Sequence, residues 1–241
     1  MFALPYTAFL NFKGLEINML TLELCAYTFL GFGGALSGAF PLFLYRYYTH
    51  PGKSQQQFPN WALNAMVICL TIAFWSIMGL KTPDDSSFKK SLVLVYVVLF
   101  IPSLFPSEWC QSDIEARGRA NFRIILYSVL ASVITIHHLY QSLVTISDLS
   151  VPKSAKDLLM AGFSHPGQSG VFLDFVLCFA VCVLYVLFQE ESPLSVPVLV
   201  PFVVSTLVLS LGTTLSLLMV YEELFLTEDV DVDYELSEKT E

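Results

Sequence analysis

Asp174 stands out among the residues that could do chemistry, as an acid near the start of an otherwise apolar run. Cys178, Cys182 and Tyr185 follow at helical spacing, which puts all four on one face of a helix. Desolvation at membrane depth favours the protonated carboxyl. Asp174 therefore reads as an acid lining a pocket, or as an interfacial carboxylate at a helix N-terminus, where the dipole favours negative charge. Glu23 invites the same two readings, since it stands at the start of the first long apolar run. It faces a cavity or lies among headgroups.

His138, Gln141, Ser142, Thr145 and Asp148 share a second polar face. Such a stripe on a spanning helix points at other helices, as interhelical hydrogen bonding, or at a pocket shared with Asp174. Adjacent His137 and His138 diverge by about 100° and do not readily ligate one metal from a straight helix. Trp75 lies deep enough to stack on a ligand or cation, or to pack in a core. Trp61 and Trp109 read as interface anchors, and Glu108 as a loop residue.

No Walker loop, dinucleotide-binding glycine pattern, HExxH or GxSxG is present, and Asp84-Asp85 stands alone without a second aspartate-rich motif. Voltage-sensor arginine arrays and a selectivity-filter sequence are also missing. No Lys/Arg cluster suggests nucleic-acid binding. The five cysteines, Cys25, Cys69, Cys110, Cys178 and Cys182, form no CxxC pair and are odd in number. Neither a disulfide framework nor a metal site is expected, and no cofactor.

The elements that must position these residues are greasy. Of 241 residues, 55% are hydrophobic and 14% charged, against about 25% charged in soluble domains. Apolar runs cover Leu20–Tyr45, Trp61–Leu80, Ser91–Phe105, Phe122–Ile146, Val171–Phe188 and Val196–Tyr221. Each approaches the roughly 20 residues a bilayer crossing needs, and in lipid the backbone must bond within itself as helix. The expected fold is an all-α, polytopic membrane helical bundle of about six transmembrane helices. Residues 1–19 form an N-terminal segment, with residues 2–12 as a candidate interfacial segment. The transmembrane domain covers 20–221, and 222–241 is an acidic, disordered tail. A short interfacial helix is expected over Ala155–Phe163. Six spans put both termini on one side, together with Lys13, Lys81, Lys89, Lys90, Lys153, Lys156 and Lys239, and leave Arg46, Lys53, Arg117, Arg119 and Arg123 on the other; the small basic excess takes the side of the termini as cytosolic, in the endoplasmic reticulum or another endomembrane. Gly34 and Gly38 form a GxxxG, a packing signal that would let a second copy or another helix approach closely.

The segment GFGGALSGAFPLFLYRYYTHP, in a small acidic-tailed chain, resembles multispanning proteins of fungal secondary-metabolite clusters. Some of these resemble membrane-bound terpene cyclases of meroterpenoid or sesquiterpenoid metabolism. The resemblance implies a metal-free cyclase. A buried carboxylic acid protonates an epoxide or alkene of a lipophilic polyene, a carbocation cascade follows, and a base removes the last proton. On that reading Asp174 is the acid, with Glu23 second, His138 the base, and Trp75 and Tyr185 cation-stabilising walls. The competing class is non-enzymatic: a small transporter, or an accessory or structural membrane protein acting in a complex, with the acidic tail as a partner-binding segment.

Overall fold

Runs this apolar can keep their backbone polar groups satisfied in lipid only as helices, and the computed structural model is helical throughout its regular elements. It describes residues 2–50, 60–79, 85–105, 116–147, 160, 163, 166–187 and 195–238. The helices are α1 (Ala3–Glu16), α2 (Thr21–Gly33), α3 (Leu36–Thr49), α4 (Asn60–Gly79), α5 (Asp85–Phe100, continued by a 3-10 turn at Ile101–Leu104), α6 (Ala116–Ser147), α7 (Pro166–Leu187), α8 (Ser195–Val208) and α9 (Leu211–Glu238). Among the described residues four segments are long and apolar enough to cross a membrane: Trp61–Met78, Ser86–Leu104, Asn121–Val144 and Ser169–Leu187. Apolar side chains such as Trp75, Ile136, Leu143, Val171 and Leu207 point outward and are exposed, as a lipid-solvated surface requires.

The first and last apolar runs are not continuous helices. Leu20–Tyr45 breaks at Gly34, where a Cβ would stand 2.8 Å from the Leu30 carbonyl oxygen. That oxygen accepts the backbone N–H groups of both Gly34 and Ala35, at 3.0 and 3.1 Å. Only glycine allows this approach. Val196–Tyr221 breaks at Ser210, whose φ is 136° and whose hydroxyl accepts the Thr213 N–H at 3.3 Å, capping α9. Each run is therefore a hairpin of shorter helices. Gly34 lies in a helix break and Gly38 has no neighbour within 4 Å of an added Cβ, so the GxxxG is not a stripe on one straight helix.

α1 differs most from expectation. It is no interfacial segment: every residue from Leu4 to Leu15 is buried. Tyr6, Phe9 and Phe12 on α1 meet rings of Phe32, Phe40, Phe43, Tyr127 and Tyr185 edge-on, a favoured aromatic geometry. Fourteen residues span only about 21 Å, too short to read as a crossing from sequence. The neighbouring helices, not lipid, surround α1, which is why it is buried all round.

Contacts along the bundle define two layers. At the first, Lys13, Arg123, Tyr185, Glu222 and Glu223 come together. Eleven residues away along each helix, about 16 Å, lie Phe2, Ile134, Asp174 and Gly212. A Cβ on Gly212 would touch Phe2 and Ile134, while Asp174 bonds the start of α3. α1, α3, α7 and α9 thus run parallel to one another and antiparallel to α6. Lys13 lies at the same end as Arg46 and Arg123, which corrects the charge count that grouped it with Lys89 and Lys90. The start of α1 and the far end of α9 point to opposite ends of the bundle.

α9 also corrects the tail boundary at 222. The helix continues through Glu238, and Glu222 and Glu223 are 5% and 4% exposed. Glu108, Trp109, Asp148 and most of the Ala155–Phe163 segment lie outside the described residues.

Candidate functional site

Five charged side chains converge at the first layer. The Lys13 ammonium lies 3.3 Å from a Glu16 oxygen and 2.9 Å from Glu222. Arg123 pairs with Glu16 at 3.3 Å and with Glu223 at 3.2 Å. Two tyrosines complete the ring: the Tyr47 hydroxyl donates to Glu16 at 2.9 Å, and the Tyr185 hydroxyl donates to Glu222 at 2.7 Å. Lys13 stands 5.6 Å from the centre of the Tyr47 ring, and Arg123 5.7 Å from that of Phe12, within cation–π range. The cluster draws on α1, α3, α6, α7 and α9.

The helices position it by register. Lys13 and Glu16 are one turn apart on α1, so both reach the same side. Arg123 falls in the first turn of the Asn121–Val144 segment and Tyr185 in the last turn of Ser169–Leu187. The cluster therefore lies just inside one end of the apolar belt, where isolated charges are expensive.

Among the described residues the cluster brings three carboxyl groups to two cations. Burial alone would lift the Glu16 carboxyl, but Lys13, Arg123 and the Tyr47 bond override it and hold it below the ordinary carboxylate range. Burial opposes the charge on Lys13, and the adjoining Glu16 and Glu222 outweigh it, holding the ammonium protonated well above its usual range. Glu223 goes the other way. Its burial outweighs the attraction of Arg123 and Lys13, and the carboxyl is raised above 4.5. Burial thus favours the protonated form of Glu223.

The residues singled out from sequence do not converge. Asp174 lies in the second layer, where its carboxylate accepts the Ser37 backbone N–H at 2.8 Å. It caps α3 rather than its own helix, a favourable dipole arrangement. Its face does turn inward: Cys178, Cys182 and Tyr185 are buried. Glu23 lies at the rim, 3.9 Å from Arg46, each side chain 39% exposed. Trp75 is 69% exposed on the outer face of α4, against Phe74, and so lines no internal wall. His138 is half-buried on α6, fifteen residues beyond Arg123. Only Tyr185 belongs to the charged cluster. Among the described residues no three His, Cys, Asp or Glu side chains gather as metal ligands.

Sequence reasoning passed over Lys13, Glu16, Arg123, Glu222 and Glu223 because each stands at the end of an apolar stretch and reads as a solvated boundary. The signal that could have found them was the opposite signs at those boundaries. No family model matches the chain, nor does any curated protein or solved structure.

Proposed function

We propose that this is an integral membrane protein performing metal-free acid–base chemistry on a lipophilic substrate, of the terpene-cyclase type, in an endomembrane. The four long helices are its full crossings, and α2–α3 and α8–α9 are re-entrant hairpins, in place of about six straight spans. The reading draws on one observation: a buried carboxyl, Glu223, with raised proton affinity beside an aromatic bundle core. A carboxyl kept protonated by its setting can donate to an alkene or epoxide. Aromatic rings and excluded water suit a carbocation. Glu223 replaces Asp174 as the proposed acid, because the Asp174 carboxylate is engaged in holding α3.

The test is expression of the chain in a heterologous host supplied with epoxidised polyprenyl substrates, followed by product analysis. Wild type forms a cyclic product, Glu223→Gln inserts but forms none, and Asp174→Asn retains it. Product from Glu223→Gln at the wild-type level removes Glu223 from the chemistry. Absence of product from wild type favours the second reading, a non-enzymatic accessory protein. The ring of paired charges across five helices supports that alternative, since it also serves as an architectural clasp.

A further inference from the structure

α1 fills the middle of the bundle yet lacks what carries a helix into lipid by itself. Its fourteen residues reach about 21 Å, short of the roughly 30 Å of hydrocarbon. Among the described residues it is neither one of the four long spans nor one of the shorter apolar helices, Thr21–Phe32 and Leu199–Val208. Asn11 and Lys13 are nonetheless buried in it. An amide and an ammonium facing acyl chains are costly, and here other helices receive them. Asn11 donates to the Ser103 hydroxyl at 3.4 Å, in the turn that continues α5. Lys13 meets Glu222 on α9, and Glu16 meets Arg123 on α6 and Tyr47 on α3. α2, α3, α4, α6 and α9 all pack on α1. The helix is solvated by the finished bundle and not by the bilayer.

Chain order separates α1 from those partners. Arg123 lies 107 residues beyond Glu16, and Glu222 lies farther still. The growing chain therefore carries an unmatched Lys13 until α9 is made. α9 then runs beside α1 along its whole length: a Cβ on Gly212 would stand 3.3 Å from the Phe2 Cα, and Glu222 reaches Lys13 at 2.9 Å. We propose that α1 stays out of the apolar belt until α9 is in place, and that the Lys13–Glu222 pair then locks it into the centre as the last helix to enter. The proposal concerns how the bundle closes and is independent of the acid chemistry assigned to Glu223.

Thr7→Cys reports the state of α1, in the full chain with its five native cysteines replaced by alanine. Thr7 is fully buried and its hydroxyl bonds the Ala3 carbonyl of its own helix, so a thiol of similar size fits there. The chain is synthesised into microsomes, sampled as it elongates, resolved by length and probed with a water-soluble maleimide. Position 7 is expected to label in growing chains and to be protected in the completed one. Glu222→Lys sets a second ammonium against Lys13 and should leave position 7 labelled in the completed chain. Lys13→Met/Glu222→Lys should restore protection, which separates lost pairing from a misfolded α9. Protection before α9 is synthesised overturns the proposal, as does labelling of the completed chain with native Lys13 and Glu222. So does protection that survives Glu222→Lys, or labelling that persists in the double variant.

Discussion

Replacing Lys13 by methionine tests the charge pairing in the buried cluster. Methionine keeps the length and apolar stem of lysine but removes the ammonium 2.9 Å from Glu222 and 3.3 Å from Glu16. At 2.9 Å and an effective dielectric constant of about 20, one such contact is worth about 6 kcal/mol of Coulomb energy before desolvation is subtracted. Both partners of the Lys13–Glu222 pair are under a tenth exposed, so little solvent screening applies. Breaking a buried pair while leaving the other charge behind typically costs about 3–5 kcal/mol, the loss expected for Lys13→Met. Lys13→Met/Glu222→Gln should recover about half of it, since the amide oxygen still accepts the Tyr185 hydroxyl while the stranded charge is gone. Reversible unfolding of the detergent-solubilised protein in mixed micelles, followed by circular dichroism, measures both. A single variant within 1 kcal/mol of wild type would refute the reasoning. So would a double variant whose loss is the sum of the two single losses, because the charges would then not be coupled.

Glu223 sets a pH dependence. Its folded carboxyl is raised above 4.5, so its contribution to stability is full below that value and is lost as pH rises through the raised one. Glu16, held below 4.5, contributes above that value and loses its share as pH falls. Glu223→Gln should flatten the alkaline-side decline while preserving the acid-side one; an unchanged slope in a pH series of unfolding curves counts against the assignment. Gly34→Ala should destabilise by about 1–3 kcal/mol, from forced backbone strain at the α2–α3 break, whereas Gly38→Ala should be nearly neutral. Equal effects at the two glycines would mean that they act as one packing stripe after all. Asp174→Ala should lose about 1 kcal/mol with the cap on α3, and Asp174→Asn less, since an amide oxygen still accepts the Ser37 N–H; matching losses in the same micelle assay would show that the bond contributes nothing.

Membrane class was legible in the residues alone, because apolar length is a local property and lipid leaves a backbone few ways to bond itself. The expected runs Trp61–Leu80, Phe122–Ile146 and Val171–Phe188 match, to within two residues at each end, the segments Trp61–Met78, Asn121–Val144 and Ser169–Leu187 that are long and apolar enough to cross. The shared face of Asp174, Cys178, Cys182 and Tyr185 was likewise legible from helical spacing. Composition could not show that two greasy runs fold back at Gly34 and Ser210, since a hairpin and a straight span share the same hydropathy. Nor could it show that α1, too short to cross and carrying Lys13, lies at the centre. Burial there depends on which helices surround it. The charged cluster is tertiary for the same reason. Lys13, Glu16, Arg123, Glu222 and Glu223 each look like a boundary marker along the chain, and only the parallel run of α1 and α9 against α6 brings those boundaries into one dry site where their charges must balance.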